Sequence, residues 1–185
     1  MNLNNFTIKS QEVLQQAQVL VQTFGQQQIE NEHLLKAILE IDENVTPFIL
    51  KKVGVNIEQL KTQNDQIIES FAKVQGGQIS LSREANNALN DAQAIAKKRN
   101  DEYVSIEHLF LSIFKSNSKI ASFLKSNGVT EKQIDAAINE LRKGERVTSA
   151  SAEDTYNSLN KYAKNLNQLA NDGKLDPVIG RDEEI

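Results

Sequence analysis

Apolar residues recur every three or four positions along most of the first 142 residues, which is the spacing of amphipathic helices. In the first such segment Val13, Ala17, Leu20 and Phe24 share one face, and Thr7 stands where an N-cap is needed. A strand-and-turn architecture would need more chain-breaking residues than the two prolines and eight glycines present. The pattern therefore predicts an all-α protein.

Eight helices are predicted, four in each half of this region. They begin after Thr7, at about residue 31, at Pro47, after Asn56, after Ser82, after Ser105, at Lys119 and after Thr130. Gly54 and Gly128 supply the left-handed position that commonly ends a helix, and proline suits a first helical turn. Glutamine three residues after two of the caps, at Gln59 and Gln133, resembles a capping box.

An internal repeat relates the two halves. Residues 29–35 (IENEHLL) recur 75 positions later as residues 104–110 (VSIEHLF), and residues 50–55 recur 74 positions later as residues 124–129. Two copies are too few for an open solenoid, so we predict a closed globule with pseudo-twofold symmetry. The repeats would span about 4–74 and 79–142 of one domain at residues 1–143, with Gly76-Gly77 as the joint.

The character of the chain changes after Lys143. Residues 144–154 are small, polar and without apolar periodicity, and this composition predicts a flexible linker. Residues 155–185 are predicted to form a lead helix, to about Ala170, and then the start of a further module. The final Asp-Glu-Glu-Ile run has the pattern of another helix beginning, so we expect the chain to be part of a longer protein.

Composition disfavours several classes of function. The chain has no cysteine, which excludes disulfides, thiolate nucleophiles and cysteine-based zinc sites. A net charge of −4 disfavours nucleic-acid binding, which relies on a basic surface. The sequence has neither an apolar run long enough to cross a membrane nor a signal-peptide pattern at its N-terminus. We expect no nucleic-acid or membrane partner and a cytoplasmic location.

Two patterns invite a catalytic interpretation. His33 and His108 occupy equivalent repeat positions, either as a paired metal or acid–base site or as helix-start residues inherited by duplication. The second interpretation is favoured because cysteines and the His-Glu-x-x-His spacing are missing. Gly173-Lys174 does not complete a P-loop, since Gln168 replaces the first glycine and Leu175 the hydroxyl residue. We therefore predict no catalytic residue, metal or cofactor in this chain.

The segment Gly173 to Ile185 carries the most specific motif. Its sequence, GKLDPVIGRDEEI, resembles the entry to the first AAA+ module of ClpB and ClpC chaperones. Upstream, Tyr156, Leu159 and Tyr162 are similar to the ClpB linker and lead helix, and the duplicated helical pattern resembles the Clp N domain. Over its whole length the chain therefore resembles a ClpB-type N domain with its linker and the start of the first ATPase module.

The resemblance implies a parent protein that is a homohexameric ring and threads aggregated polypeptides through its pore with ATP and Mg. It also implies DnaK-type chaperones as collaborators and a role in stress response. This chain would capture unfolded or aggregated polypeptide, without being an enzyme, and is expected to be monomeric by itself. The alternative within the family is the adaptor-docking N domain of a ClpC-type protease-associated chaperone. The enzymatic alternative is a hydrolase with an unrecognised site.

The resemblance also implies site residues. The polypeptide-binding groove of the family would fall on Thr7, Asp91, Ile95, Asp101, Glu107 and His108. Asp91 and His108 stand where some relatives carry leucine, so a more polar groove is expected. In the parent protein only, Val178, Ile179 and Gly180 would contact the adenine of ATP.

Overall fold

A computed structural model describes residues 3–156 of the chain. The chain divides into two compact units, residues 1–153 and residues 154–185. Over the described part of the first unit the elements are α1 Ile8–Thr23, β1 Gln28–Ile29, α2 Asn31–Ile41, α3 Val45–Lys52, α4 Ile57–Glu69, β2 Ser80–Leu81, α5 Arg83–Lys98, α6 Ile106–Lys115, α7 Lys119–Ser126 and α8 Glu131–Arg142. Residues 152–156 are also helical. Within residues 3–156, no helix combines the length and apolarity needed to cross a bilayer.

Short polar side chains determine where five of the helices begin. Thr7, Asn56, Ser82, Ser118 and Thr130 each accept the backbone N–H of the residue three positions later. These bonds satisfy N–H groups that have no partner inside the helix, and each such cap stabilises its helix by about 1 kcal/mol. The capping box predicted at Thr130 is complete, because the Gln133 side chain accepts the Thr130 N–H.

Two short parallel strand pairs join the two halves, and each pair takes one strand from each half. β1 pairs with β2 in parallel, so that Ile29 of the first half faces Leu81 at the start of the second. The matching bridge joins Phe6, which precedes α1, to Val104, which precedes α6. The repeat offset converts one pair into the other, because Phe6 corresponds to Leu81 and Ile29 to Val104. Each half therefore completes a strand pair of the other, which holds the two repeats together as one globule.

The pseudo-twofold symmetry extends to the turns and the core. α1 and α5 both end in a left-handed residue, Gly25 with φ 68° and its equivalent Asn100 with φ 63°. α6 is buried on every face from Ile106 to Phe114, and its polar residues Glu107, His108 and Ser112 are buried together with its apolar ones. The predicted fold, an all-α duplicated four-helix repeat, is confirmed, with the two short strand pairs as an addition that the sequence pattern did not reveal.

Helix α3 starts two residues earlier than predicted. α3 starts at Val45 instead of Pro47, because the Asp42 carboxylate accepts the N–H groups of Asn44, Val45 and Thr46 and so fixes an earlier first turn. Phe71 lies two residues beyond the end of α4 at Glu69, and its ring packs against His33 with 5.8 Å between centroids.

The first compact unit also extends beyond the predicted boundary at Lys143. It continues to Glu153, so most of the expected linker belongs to it. Val147 is fully buried and Glu153 is only 1% exposed. Four backbone N–H groups connect the segment to the helical domain, and they belong to Ile8, Glu102, Ile106 and Val147. Buried side chains and paired backbone groups, which composition does not report, hold the segment in place.

Candidate functional site

The start of helix α6 places two polar side chains in the protein interior. Glu107 and His108 are fully buried, next to the N-cap Ser105. The His108 Nδ1 accepts the Ser105 backbone N–H at 2.8 Å, which leaves the ring proton on Nε2. Nε2 donates to Asp101 Oδ2 at 2.7 Å. The histidine therefore caps its own helix and orients the carboxylate of the preceding loop.

Arg142, the last residue of α8, connects these groups. It is 5% exposed and donates from Nε to Glu107 at 2.9 Å and from Nη1 to Asp101 at 2.8 Å. Its Nη2 lies 3.1 Å from His108 Nε2. A guanidinium presents several donors in a rigid plane, so one arginine can compensate two buried carboxylates at once. We call Asp101, Glu107, His108 and Arg142 the polar cluster.

Burial and hydrogen bonding oppose each other in the polar cluster. Burial by itself would raise the pKa of Asp101, but hydrogen bonds from His108, the Val147 N–H and Arg142 lower it to about 2. Burial likewise opposes ionisation of Glu107, but several contributions, of which the Arg142 charge is the largest, outweigh burial and keep the pKa of Glu107 below its usual value. Both carboxyl groups are therefore ionised at neutral pH, and both depend on Arg142.

Residues 145–153 cover the polar cluster, and we call them the strap. The Val147 N–H donates to Asp101 Oδ1 at 2.9 Å, and the Val147 carbonyl accepts the Glu102 N–H at 2.7 Å. Further along, the Ala150 carbonyl accepts the Ile8 N–H at 2.9 Å. The strap therefore runs from the α5–α6 loop to the start of α1.

Glu153 ends the strap with a carboxyl group at the junction of α1 and α6. Its Oε2 accepts the Thr7 hydroxyl at 2.6 Å and the Ile106 backbone N–H at 3.0 Å. Burial, and then the nearby charge of Glu107, raise the pKa of Glu153 to about 7 against the effect of those two donors. Its other oxygen, Oε1, is buried without a hydrogen-bond partner, and so is Oε1 of Glu107.

The first half has a mostly uncharged counterpart of the polar cluster. His33 Nδ1 accepts the Glu30 N–H at 2.9 Å, and its Nε2 lies 2.6 Å from Gln26 Oε1, where the second half has Asp101. Burial lowers the pKa of His33 to about 4, so this ring is neutral at physiological pH. Glu32, the equivalent of Glu107, accepts the N–H of Ile120 at the start of α7. The duplication preserves the histidine cap, and only the second copy has the arginine network.

The predicted groove residues fall into two places. Thr7, Asp101, Glu107 and His108 lie together in or beside the polar cluster, and the strap contacts Thr7 and Asp101. The side chains of Asp101, Glu107 and His108 are 0% exposed. Ile95, 8% exposed on α5, lines a different cleft of about 390 Å³ with Leu111 and Arg99. Asp91 is half-buried one turn earlier on α5. The groove assignment stays a prediction.

Two open clefts occupy equivalent positions on the two repeats. One, of about 590 Å³, lies between the end of α5 and the strap, and its lining includes the charged residues Lys97, Glu102 and Arg146. Its first-half equivalent, of about 790 Å³, has an uncharged lining that includes Val19 and Val74. These two valines are 50% and 43% exposed. The two repeats therefore carry one charged and one uncharged groove at equivalent positions.

Arg142 and Glu153 were not recognised from the sequence. Arg142 follows Ile138 by four residues, so it continues the apolar stripe of α8, and a charge at a core position is a signal that could have identified it. Glu153 lies in a small, polar segment, where nothing in the local pattern distinguishes a buried carboxyl from a solvated one.

Within residues 3–156 there is no cluster of three or more groups suited to hold a metal ion. The two histidines are accounted for by helix capping, which agrees with the structural interpretation of the repeat. Val178, Ile179 and Gly180, the nucleotide-contacting residues expected in the parent protein, lie outside the described residues, as does most of the lead helix expected at 155–170.

The fold defines a class of two-repeat helical domains, and comparison with known proteins identifies it. The model of the Clp repeat (R) N-terminal domain family matches residues 5–127, and the chain belongs to this family. Over all 185 residues it is 55% identical to the chaperone protein ClpB of Bacteroides thetaiotaomicron and 51% identical to that of Porphyromonas gingivalis. It covers 22% and 21% of their lengths, so it corresponds to the N-terminal region of ClpB chaperones. A ClpC-type protein is not favoured.

Solved structures share the fold at low sequence identity. The Hsp104 N-terminal domain from Candida albicans has a TM-score of 0.71 at 20% identity, over 80% of this chain and 99% of that one. The N-domain of ClpV in complex with a VipB peptide has a TM-score of 0.62 at 17% identity, over 75% of this chain and 90% of that one. These matches support the duplicated architecture.

Proposed function

We propose that this chain is a polypeptide-binding domain that captures unfolded or aggregated protein for a ClpB-like disaggregase. The observation that carries the proposal is the 55% identity to the N-terminal region of a ClpB chaperone over the whole chain. The N-domain of ClpV, which has the same fold, has been solved with a peptide. Grooves on a helical domain suit this task, because apolar side chains of an extended segment can dock there.

In the parent protein the captured segment would pass to a homohexameric AAA+ ring that consumes ATP with Mg and works with DnaK-type chaperones. Disaggregation, refolding, the response to heat stress and a cytoplasmic location belong to this proposal as well. The chain spans about a fifth of the length of the curated relatives. These activities would therefore depend largely on regions outside it, and this domain would contribute binding and no catalysis.

The binding site would lie mainly on the second repeat, around α5 and the start of α6, and would include Thr7 of the first repeat, which Glu153 connects to the start of α6. The cleft at Ile95 combines the apolar side chains of Ile95 and Leu111 with a charged rim that includes Arg99 and Asp135. Apolar burial would supply most of the affinity, and the rim charges would supply selectivity. We therefore expect binding that is weak and tolerant of salt.

Chemical-shift mapping tests this assignment. The isotope-labelled 185-residue chain is titrated with reduced, carboxymethylated α-lactalbumin, a protein that stays unfolded. We expect the perturbed amides to cluster around Thr7, Ile95 and Glu107. Perturbations confined to the first repeat, for example around Val19 and Val74, would show that the groove assignment is wrong.

The repeat provides a matched control. Ile95 on α5 corresponds to Leu20 on α1, and the two are similarly buried at 8% and 6% exposure. Ile95→Ala and Leu20→Ala should therefore destabilise the fold by similar amounts, about 2–5 kcal/mol. Only Ile95→Ala should weaken binding of the unfolded protein. Equal weakening by both variants would indicate that the loss follows stability and not the groove.

A further inference from the structure

The carboxyl group of Glu153 occupies a site built by two helix starts. One donor is the hydroxyl of Thr7, the N-cap of the 16-residue helix α1, and the other is the N–H of Ile106, the first residue of the 10-residue helix α6. Both donors reach the same oxygen, Oε2, while Oε1 is buried without a partner. The site therefore satisfies one acceptor and leaves the second oxygen with no donor.

The groups around Glu153 make an ionised carboxylate costly. From α6 it faces Glu107, whose negative charge acts directly on it. Behind Glu107 lie Arg142 of α8, His108 of α6 and Asp101 of the α5–α6 loop. The Arg142 donors are directed at Glu107 and Asp101, and α1 contributes the uncharged hydroxyls of Thr7 and Ser10.

One proton on Glu153 would provide a hydrogen bond for both unpaired oxygens, Oε1 of Glu153 and Oε1 of Glu107. A neutral Glu153 has a hydroxyl donor on Oε1 and a carbonyl acceptor at Oε2, which matches the two donors that Oε2 receives. Glu107, whose charge acts on Glu153, has a buried carboxylate oxygen without a partner, Oε1, and would be the acceptor for such a hydroxyl. An ionised Glu153 would leave two buried anionic oxygens, its own Oε1 and that of Glu107, without a donor.

We propose that the junction of α1 and α6 is a receptor site for a carboxyl group in its protonated form, with Glu153 as its resident ligand, so that docking of the strap is coupled to a proton. The strap would close over the junction at low pH and loosen as the pH rises. This inference concerns the chain itself and stands whether or not the domain binds polypeptides.

The direction and the size of the pH effect on strap docking follow from the coupling between docking and protonation of Glu153. Glu153 has its ordinary pKa of 4.5 when the strap is free and a pKa of about 7 when it is docked. The equilibrium constant for docking of the strap is greatest below about pH 4.5. It falls by up to tenfold per pH unit until about pH 7 and is constant above that. The total decrease is about 300-fold, because 2.5 units separate the two values.

The test uses the 185-residue chain and two readouts. The side-chain carboxyl carbon of Glu153 reports its titration directly by NMR, and hydrogen exchange of the Ile8 and Ile106 amides reports strap docking. We expect Glu153 to titrate near pH 7, and both amides to lose protection, beyond the intrinsic pH effect, as the pH rises from 5 to about 7.

Three variants make the inference falsifiable. Glu153→Gln keeps the acceptor for Thr7 and Ile106 and adds an N–H donor toward Glu107, so docking should persist and lose its pH dependence. Glu153→Ala should expose both amides at every pH. Glu145→Gln, on the exposed part of the same strap, should behave like the parent chain. Titration of Glu153 near pH 4.5, or the same pH dependence in Glu153→Gln, would overturn the proposal.

Discussion

Replacing Arg142 with methionine should remove a large part of the stability of the first unit. Methionine retains most of the apolar stem of the arginine but takes away the charge and the donors to Asp101 and Glu107. Both carboxylates are then buried without their cation, and breaking a buried ion pair in this way costs about 3–5 kcal/mol. We expect a loss in that range for Arg142→Met at about pH 7.

The pKa of Asp101, which His108, the Val147 N–H and Arg142 lower together, sets the pH range in which this loss should depend on pH. Its value of about 2 lies nearly two units below the ordinary 3.8, which corresponds to about 2 kcal/mol of stabilisation. That stabilisation is complete above about pH 4 and disappears as the pH falls toward 2. In Arg142→Met the carboxyls of Asp101 and Glu107 should protonate more readily than in the parent chain. The difference in unfolding free energy between the parent chain and the variant should therefore narrow as the pH falls from 5 to 3.

Urea denaturation followed by circular dichroism measures the free energy of unfolding, and Arg99→Met is the matched control. Arg99 also donates to a carboxylate, that of Asp135 at 2.9 Å, but the Asp135 side chain is 40% exposed. Solvent-exposed pairs contribute about 0–1 kcal/mol. If Arg142→Met costs no more than Arg99→Met, Arg142 does not compensate the two buried carboxylates. The same conclusion follows if the difference in unfolding free energy between the parent chain and Arg142→Met is unchanged at low pH.

Three further predictions concern the fold. Phe6→Ala should cost about 3–5 kcal/mol in urea denaturation, because the ring is fully buried at the exchanged strand pair; a loss below 1 kcal/mol would contradict this. Asp42→Ala should cost about 1–2 kcal/mol in the same assay, because it frees three N–H groups at the start of α3, whereas Asp42→Asn should recover part of that. The C2 proton of His33 should titrate near pH 4 by NMR. The stability that the buried neutral ring contributes is therefore complete above about pH 6.5 and decreases as the pH falls toward 4. Titration near pH 6.5 would show that the ring is solvated.

The sequence was sufficient to predict the architecture because its evidence is local and repeated. Helix caps such as Ser82 and Thr130 and the apolar stripes between them define the helices, and the repeated Glu-His-Leu segment reveals the duplication. The exchanged strand pairs were not predicted because each involves only one or two residues, too few for a periodic pattern.

The site was harder to predict, for a physical reason. Whether Glu107 and Glu153 are buried depends on contacts between residues that are 35 to 146 positions apart, and composition reports only that they are charged. The family resemblance indicated Thr7, Asp101, Glu107 and His108, which the structure does bring together. It did not reveal that a strap from the expected linker covers them.

Fluorescence anisotropy measures whether this domain binds unfolded polypeptide. Labelled α-lactalbumin, either reduced and carboxymethylated or native, is titrated with the 185-residue chain at low and at high salt. The account predicts saturable binding of the unfolded form at both salt concentrations and no binding of the native form. Failure to bind the unfolded form, or equal binding of both forms, would contradict it.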